Sequence, residues 1–217
     1  MRVILIRHGE TDWNQEKIYR GRIDVTLNTN GVKQAGIIGS RLSELDIDAF
    51  YSSPLVRAYE TAKIIASYHD KNVNVLDELT DIHFGDWQGL AKKDVVTKYP
   101  DIYETWENSP DRANIPGAET LEDVRKRLID GFNKLLSVYQ NGTVVVVSHG
   151  LTNKVALCVI LGLDNSHFWK VKQDNGAINI FKYTEHGTKL FLMNDTSHLR
   201  SMNDIIGDMM ILDDPLG

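Results

Sequence analysis

Two short runs of branched apolar residues lie far apart in the sequence, and each is followed by a histidine and a glycine. The run at residues 3–6 leads through Arg7 into His8, and the run at residues 144–147 leads through Ser148 into His149. An apolar run of this length is typical of a strand buried on both faces of a sheet. Because ligands of open α/β folds bind beyond the carboxyl ends of the strands, we expect both histidines at that edge.

The sequence between and after these runs alternates between helical and strand patterns. Apolar residues at helical spacing predict longer helices at about residues 28–45, 54–68, 120–136 and 153–161. Short apolar runs predict further strands at 49–52, 73–76, 176–183 and 189–193, the last two at the sheet margin. Val32 and Leu45 are assigned to the apolar face of the first helix, and Pro100 is expected to separate two short helices. The fold class is α/β, a three-layer αβα sandwich with a mostly parallel mixed central sheet.

Length and charge restrict the class of protein further. The chain has 217 residues and no linker or repeat, so we expect a single domain over residues 1–217 with an acidic C-terminal tail at about 199–217. A net charge of −6 argues against nucleic acid or an anionic membrane as partner. No apolar run approaches the ~20 residues of a membrane span, and the N-terminus does not resemble a signal peptide. We expect a cytoplasmic protein; a homodimer is left open.

Arginines beside the first histidine indicate which chemistry the two histidines serve. Arg7 adjoins His8, and Arg57 stands at the start of the helix after the second predicted strand. Arginines repel a divalent metal ion, whereas guanidinium groups and glycine N–H groups bind a phosphate dianion. We therefore expect a phosphoryl-transfer site with no metal ion and no cofactor.

These residues belong to a longer set of motifs in a specific order. The set comprises RHGET at 7–11, Asn14, Gly21, YSSPLVRAYETA at 51–62, GDWQG at 85–89 and VVVVSHG at 144–150. Together they resemble the histidine phosphatase superfamily, in its phosphoglycerate mutase-like branch, over about the first 160 residues. Phe168-Trp169 and His198-Leu199 are more weakly similar to metal-independent phosphoserine phosphatases of that branch. The resemblance implies a small cap insertion over the site, at about residues 82–118.

The resemblance also implies roles for individual residues. His8 is the nucleophile that becomes phosphohistidine, and a neutral imidazole can attack if its other nitrogen donates to a fixed acceptor such as a backbone carbonyl. Arg7, Arg57 and His149 surround the oxygens of the transferring group. Asn14 adds a neutral donor at the rim of the site, and substrate binding also involves Gly21 and Gly150.

The general acid departs from the family pattern. Asp81 occupies the position where the family has a glutamate, and it is one methylene shorter and intrinsically more acidic. Glu78 is the alternative acid. His83 either holds a carboxylate of the substrate or packs under the loop.

Residues in the predicted cap favour hydrolysis over transfer. The resembling mutases carry an arginine pair after a tryptophan, whereas here Trp106 is followed by Glu107 and Asn108, although Lys92 matches a mutase lysine. We therefore expect a metal-independent phosphatase acting on a small phosphorylated metabolite. The alternatives are a cofactor-dependent phosphoglycerate mutase and an inactive relative that binds phosphorylated ligands or proteins. The sequence leaves phosphoserine, ribazole phosphate, phosphoglycerates and sugar phosphates open as substrates.

Overall fold

A mixed sheet organises the computed structural model, which describes residues 1–199. The strands of the described chain are β1 (Arg2–Arg7), β2 (Ala49–Ser52), β3 (Val73–Val75), β4 (Thr143–Ser148), β5 (Ile178–Thr184) and β6 (Gly187–Asp195). Their order across the sheet is β3-β2-β4-β1-β5-β6. Strands β1 to β4 run parallel to one another, and β5 pairs antiparallel with both of its neighbours, β1 and β6. The prediction of a mostly parallel mixed sheet is confirmed. The acidic tail predicted at about 199–217 lies almost wholly outside the described residues.

Helices cover both faces of this sheet. Those of the described chain are α1 (Asp12–Gln15), α2 (Thr29–Leu42), α3 (Val56–Ala66), α4 (Lys92–Lys98), α5 (Pro100–Asn108), α6 (Leu121–Val138) and α7 (Gly150–Ile160). Successive side chains of β1 alternate between the two layers: Val3 and Leu5 pack with α6 and α7, whereas Ile4 and Ile6 pack with α2 and α3. The predicted three-layer αβα sandwich is confirmed. No helix within residues 1–199 is long and apolar enough to cross a membrane.

The apolar face of α2 differs from the prediction. The Asn28 side chain caps the helix by accepting from the Gly31 N–H, and the buried face then runs through Ala35, Ile38 and Leu42. Val32 lies outside this face and is 48% exposed. The prediction that α2 extends to Leu45 was wrong, because the helix ends at Leu42 and leaves Leu45 46% exposed.

Three further boundaries differ from the prediction. Pro100 does not separate the two short helices by a gap but is the first residue of α5, where its missing N–H and fixed φ are tolerated. Helix α7 begins at Gly150, three residues earlier than expected, so its N-terminus directly follows His149. Helix α1 was not predicted, because the sequence analysis assigns no helix before residue 28, whereas Asp12–Gln15 form one short helix.

The ends of β1 and β4 determine where the site forms. Arg7 and Ser148 are paired in the parallel register, and the N–H of His8 donates to the Ser148 carbonyl at 2.9 Å. The residues that follow the two strands therefore leave the sheet side by side. On the face that carries α6 and α7, the segment between β3 and α6 packs through buried Phe84, Trp87 and Trp106.

Candidate functional site

His8 is fully buried immediately after β1, and its tautomer follows from its contacts. Its Nδ1 atom lies 2.6 Å from the Gly9 carbonyl oxygen, which can only accept, so Nδ1 carries the proton and Nε2 carries the lone pair. Nε2 has no hydrogen-bond partner within residues 1–199. The Gly9 N–H donates to Thr61 Oγ1 at 3.0 Å. A β-carbon at Gly9 would lie 2.5 Å from the Gly31 carbonyl oxygen, so this close packing requires glycine.

His149 is the second fully buried histidine and lies beside the first. The two imidazole centroids are 5.2 Å apart, and His149 Nε2 is 2.7 Å from Ser53 Oγ. Burial, and then the positive charge of Arg57, holds the pKa of each imidazole well below its usual 6.5. Both rings are therefore neutral at neutral pH, the state in which an imidazole can act as a nucleophile.

Two of the predicted arginines are fixed by backbone carbonyls. Arg57 is fully buried; its Nη2 donates to the Gly21 carbonyl at 2.8 Å, and its Nη1 donates to the Ile23 carbonyl at 3.0 Å. Arg7 Nη1 donates to the Gln173 carbonyl at 2.6 Å. A β-carbon at Gly150 would lie 3.0 Å from Arg7 Nε, so the glycine lets Arg7 approach the N-terminus of α7. That N-terminus is itself favourable for an anion.

Arg20 is a third arginine at the site, and the sequence analysis missed it. Its Nη1 donates to Thr11 Oγ1 at 2.6 Å, and burial, followed by repulsion from Arg57, lowers the pKa of Arg20 to about 10. Burial likewise lowers the pKa of Arg7 to about 10. Three guanidinium groups therefore lie near Asp81, which is the one carboxylate on the lining of the cavity described below, and Arg7 also has Asp174 nearby. The excess of positive charge favours a phosphate dianion.

Asp81 is brought to this cluster, whereas Glu78 is not. Asp81 is 6% exposed; its Oδ2 accepts from Arg57 Nη2 at 3.1 Å, and its Oδ1 accepts from Thr152 Oγ1 at 3.2 Å. Oδ2 also lies 3.8 Å from His149 Nδ1. The Glu78 carboxylate instead pairs with Lys134 of α6. Burial opposes ionisation of Glu78, but the Lys134 contact, a backbone hydrogen bond and the charge of Arg127 together outweigh burial and lower the pKa of Glu78.

The remaining predicted residues divide between the cavity and its surroundings. Asn14 lines the cavity, and its Oδ1 accepts from the Thr11 N–H at 3.0 Å, which leaves its amide Nδ2 as the group available to a ligand. Gly21 also lines the cavity and has a φ of +54°, a conformation that favours glycine. His83 does not line it; its Nδ1 accepts from the Gly85 N–H at 3.0 Å.

A cavity of about 360 Å³ opens where these groups converge. The predicted site residues on its lining are Arg7, Asn14, Gly21, Asp81 and Gly150, whereas the fully buried His8, Arg57 and His149 are not on it. Residues that the sequence analysis did not assign to the site also line it, namely Lys17, Arg20, Lys154 and Gln173. Arg20 precedes Gly21, and Lys154 follows Gly150 by four residues, so proximity to assigned residues was the one signal that pointed to them. The arrangement can bind a phosphate dianion next to a neutral, correctly protonated imidazole.

The fold and site define a class of protein, an α/β sandwich with an arginine-rich anion pocket at the carboxyl edge of its sheet, and comparisons with known proteins identify its family. The family model of the histidine phosphatase superfamily (branch 1) matches residues 3–196. Phosphoserine phosphatase 1 of Hydrogenobacter thermophilus is 34% identical over 199 residues, which cover 92% of this chain and 94% of that protein.

Two solved structures are also similar. Bacillus stearothermophilus YhfR has a TM-score of 0.88 at 26% identity, over 92% of this chain and 99% of that chain. A mutant phosphoserine phosphatase of Entamoeba histolytica in complex with phosphoserine has a TM-score of 0.83 at 29% identity, over 92% and 99%. This chain belongs to the histidine phosphatase superfamily. It is an enzyme of the phosphoric monoester hydrolase class.

Proposed function

We propose that this protein hydrolyses a small phosphomonoester through a phosphohistidine formed on His8, without a metal ion, in the cytoplasm. The observation that carries the proposal is the state of His8. Its Nδ1 is bound to the Gly9 carbonyl, and its Nε2 is left without a partner beside three arginines. Buried ring nitrogens without a partner also occur outside the site, at His69 for example, so what distinguishes His8 is the three arginines around its free nitrogen.

The first step is attack by His8 on phosphorus. The Nε2 lone pair forms the N–P bond as the P–O bond of the ester breaks, and the proton on Nδ1 stays hydrogen-bonded to Gly9, which stabilises the positive charge that develops on the ring. The departing alkoxide takes a proton from the carboxyl group of Asp81.

The second step is hydrolysis of the phosphohistidine. The Asp81 carboxylate, now without its proton, removes a proton from a water molecule as the water oxygen attacks phosphorus. The N–P bond breaks, the electron pair returns to His8 Nε2, and inorganic phosphate leaves. The same carboxyl group acts first as acid and then as base.

Stabilisation of the transferring group comes from fixed cations. Arg57 is held by two backbone carbonyls and by Asp81, and Arg7 by one carbonyl, so neither has to reorient as charge builds on the equatorial oxygens. Arg20 completes the positive cluster. Its acceptor Thr11 is uncharged, so its charge is compensated less than that of Arg57. This set supplies the charge that a metal ion supplies in other phosphoryl-transfer sites.

Transfer to a second substrate is disfavoured by the segment at about residues 82–118, which we propose as the cap. Glu107 lies 4.0 Å from Lys92, so an acid of the cap neutralises the one lysine that has a counterpart in the phosphoglycerate mutases. Neither Glu107 nor Asn108 supplies the cations of the mutase arginine pair. Water rather than a bound acceptor then reaches the phosphohistidine, and the net reaction is hydrolysis.

The test is release of inorganic phosphate from a panel of phosphomonoesters in the presence of a chelator. His8→Ala is compared with His83→Ala, which removes an imidazole near the site that does not line the cavity. We expect turnover in the wild type and in His83→Ala, and none in His8→Ala. Full activity of His8→Ala, or an activity that EDTA abolishes and a divalent metal restores, contradicts the proposal.

A further inference from the structure

The cavity extends along α7 beyond the phosphate-binding groups. Gly150, at the N-terminus of α7, lies against Arg7, and Lys154 follows it by four residues. Residues four apart lie on the same face of a helix, and the rise between them is about 6 Å. Both residues line the cavity. The backbone of Lys154 therefore lies about one helical turn from the N-terminus of α7, and its ammonium group is near enough to Arg7 for the two charges to repel each other.

Lys154 is held in place by aromatic rings rather than by an acid. Its Nζ lies 4.4 Å from the ring centre of Trp169 and 5.2 Å from that of Phe168. Trp169 is fixed in turn, because its Nε1–H donates to the Trp106 carbonyl at 2.7 Å. No hydrogen bond or ion pair to the Lys154 ammonium is found in the described part of the chain. A partly buried charge without a counter-charge is unfavourable until an anion joins it.

The charged groups around Lys154 are few. Arg7 faces it from β1, Asp174 from the segment before β5, and the Cys158 thiol from its own helix. Asp174 is already engaged, at 3.0 Å from Lys172 and 2.9 Å from the Asn194 side chain. Burial, followed by Arg7, therefore lowers the pKa of Lys154 to about 8.

The other lysines of the cavity are compensated or solvated. Lys92 has Glu107 at 4.0 Å, and Lys17 is exposed to solvent. Among the cavity lysines, Lys154 thus combines partial burial, a fixed position and no acidic partner within residues 1–199.

We propose that Lys154, supported by Trp169 and Phe168, forms a second anion subsite. The substrate class is then a phosphomonoester that carries a second anionic group, a carboxylate or another phosphate, within reach of Lys154 in the same cavity. This inference rests on the proposed function, which places the first phosphate at His8.

The experiment measures binding in matched ligand pairs, in the His8→Ala background so that no ligand is consumed. 3-Phosphoglycerate and glycerol 3-phosphate differ by a carboxylate, and propanediol bisphosphate and propanediol monophosphate differ by a phosphate. Titration calorimetry gives the affinity for each ligand. In at least one pair, Lys154→Met should weaken binding of the ligand with two anionic groups roughly tenfold to hundredfold, the range of a charge-assisted contact. The affinity for the ligands with one anionic group should change by less than about twofold. The pair that responds identifies the second anion.

Two further variants separate a specific role from a structural one. Lys154→Arg should restore the affinity, and Lys170→Met, an exposed lysine outside the cavity, should change nothing. In the protein that retains Lys154, the affinity for the ligand with two anionic groups should fall between pH 7 and 9 as the ammonium loses its proton. In Lys154→Arg this affinity should stay level over the same range. Arg7, with a pKa of about 10, keeps its charge through most of this range.

The contrary results are distinct. Equal losses for both members of every pair, or no loss at all, would overturn the second subsite. A wild-type protein that releases no phosphate from any ester would overturn the proposed function alone, because the calorimetric comparison does not depend on turnover.

Discussion

Replacement of Asp81 by asparagine tests the assignment of the general acid. Asparagine keeps the size of the side chain but cannot deliver a proton to the leaving oxygen. An alkoxide is a poor leaving group, so we expect kcat/KM for an alkyl phosphate to fall roughly 10²–10⁴-fold, which corresponds to about 2.7–5.4 kcal/mol. p-Nitrophenyl phosphate releases a stable phenolate that needs no proton, so kcat/KM for this substrate should fall far less.

The same substitution has a bounded effect on stability. Asp81 accepts from the Ile82 N–H at 3.0 Å, from Thr152 Oγ1 and from Arg57. The asparagine oxygen can keep the first two contacts, but its amide group then faces the guanidinium, which should cost about 1–3 kcal/mol. Arg57 retains the carbonyls of Gly21 and Ile23, so the buried charge is not left without partners.

The assay compares kcat/KM for 3-phosphoglycerate and p-nitrophenyl phosphate in the wild type, Asp81→Asn and Glu78→Gln, with a thermal midpoint for each protein. Glu78→Gln is the matched control, because Glu78 contacts Lys134 on the surface of α6. The reasoning is refuted if both substrates slow equally in Asp81→Asn, or if the leaving-group effect appears in Glu78→Gln instead.

Three further predictions concern Arg20, the buried imidazole of His149 and the choice of hydrolysis over transfer. Arg20→Met should raise the KM for every phosphomonoester about tenfold or more and raise the Ki of vanadate in parallel, whereas unchanged values for both would remove Arg20 from the phosphate site. The depressed pKa of His149 means that the unfolded chain takes up a proton below about pH 6.5 while the folded chain does not, so Tm should fall between pH 7 and 5.5. His149→Gln should flatten that slope, and an unchanged slope would contradict a neutral buried imidazole. Incubation with 3-phosphoglycerate should not equilibrate it with 2-phosphoglycerate, and rapid equilibration dependent on a bisphosphoglycerate primer would reverse the choice of hydrolysis over transfer.

The parts of the fold that depend on local pattern could be predicted from the sequence. The apolar runs at 3–6 and 144–147 are buried strands, and the topology places the residues after them at one edge because parallel strands share their carboxyl ends. Helix ends were predicted less well. Val32 and Leu45 fit an extended apolar stripe, but close packing at Gly31 and the cap at Asn28 determine which face of α2 is buried.

Two cavity residues could not be predicted because long-range contacts position them. Arg20 lies in a segment without periodicity, and only the folded chain brings it to Thr11 and near Arg57. Lys154 belongs to a mostly apolar and buried helix, and its sequence does not show which groups surround the one lysine. Its role depends on Trp169, which Trp106 fixes from a distant helix.

The formation of phosphohistidine on His8 is the central claim, and trapping it is the most direct test. The protein is mixed with a radiolabelled phosphomonoester, denatured during turnover and digested, and the labelled peptide is identified by mass spectrometry. The account predicts an acid-labile, base-stable phosphoryl group on His8, present in the wild type and increased in Asp81→Asn with an aryl phosphate, because hydrolysis of the intermediate is then slowed. Label on another residue, or steady turnover with no labelled protein at any quench time in Asp81→Asn, would contradict it.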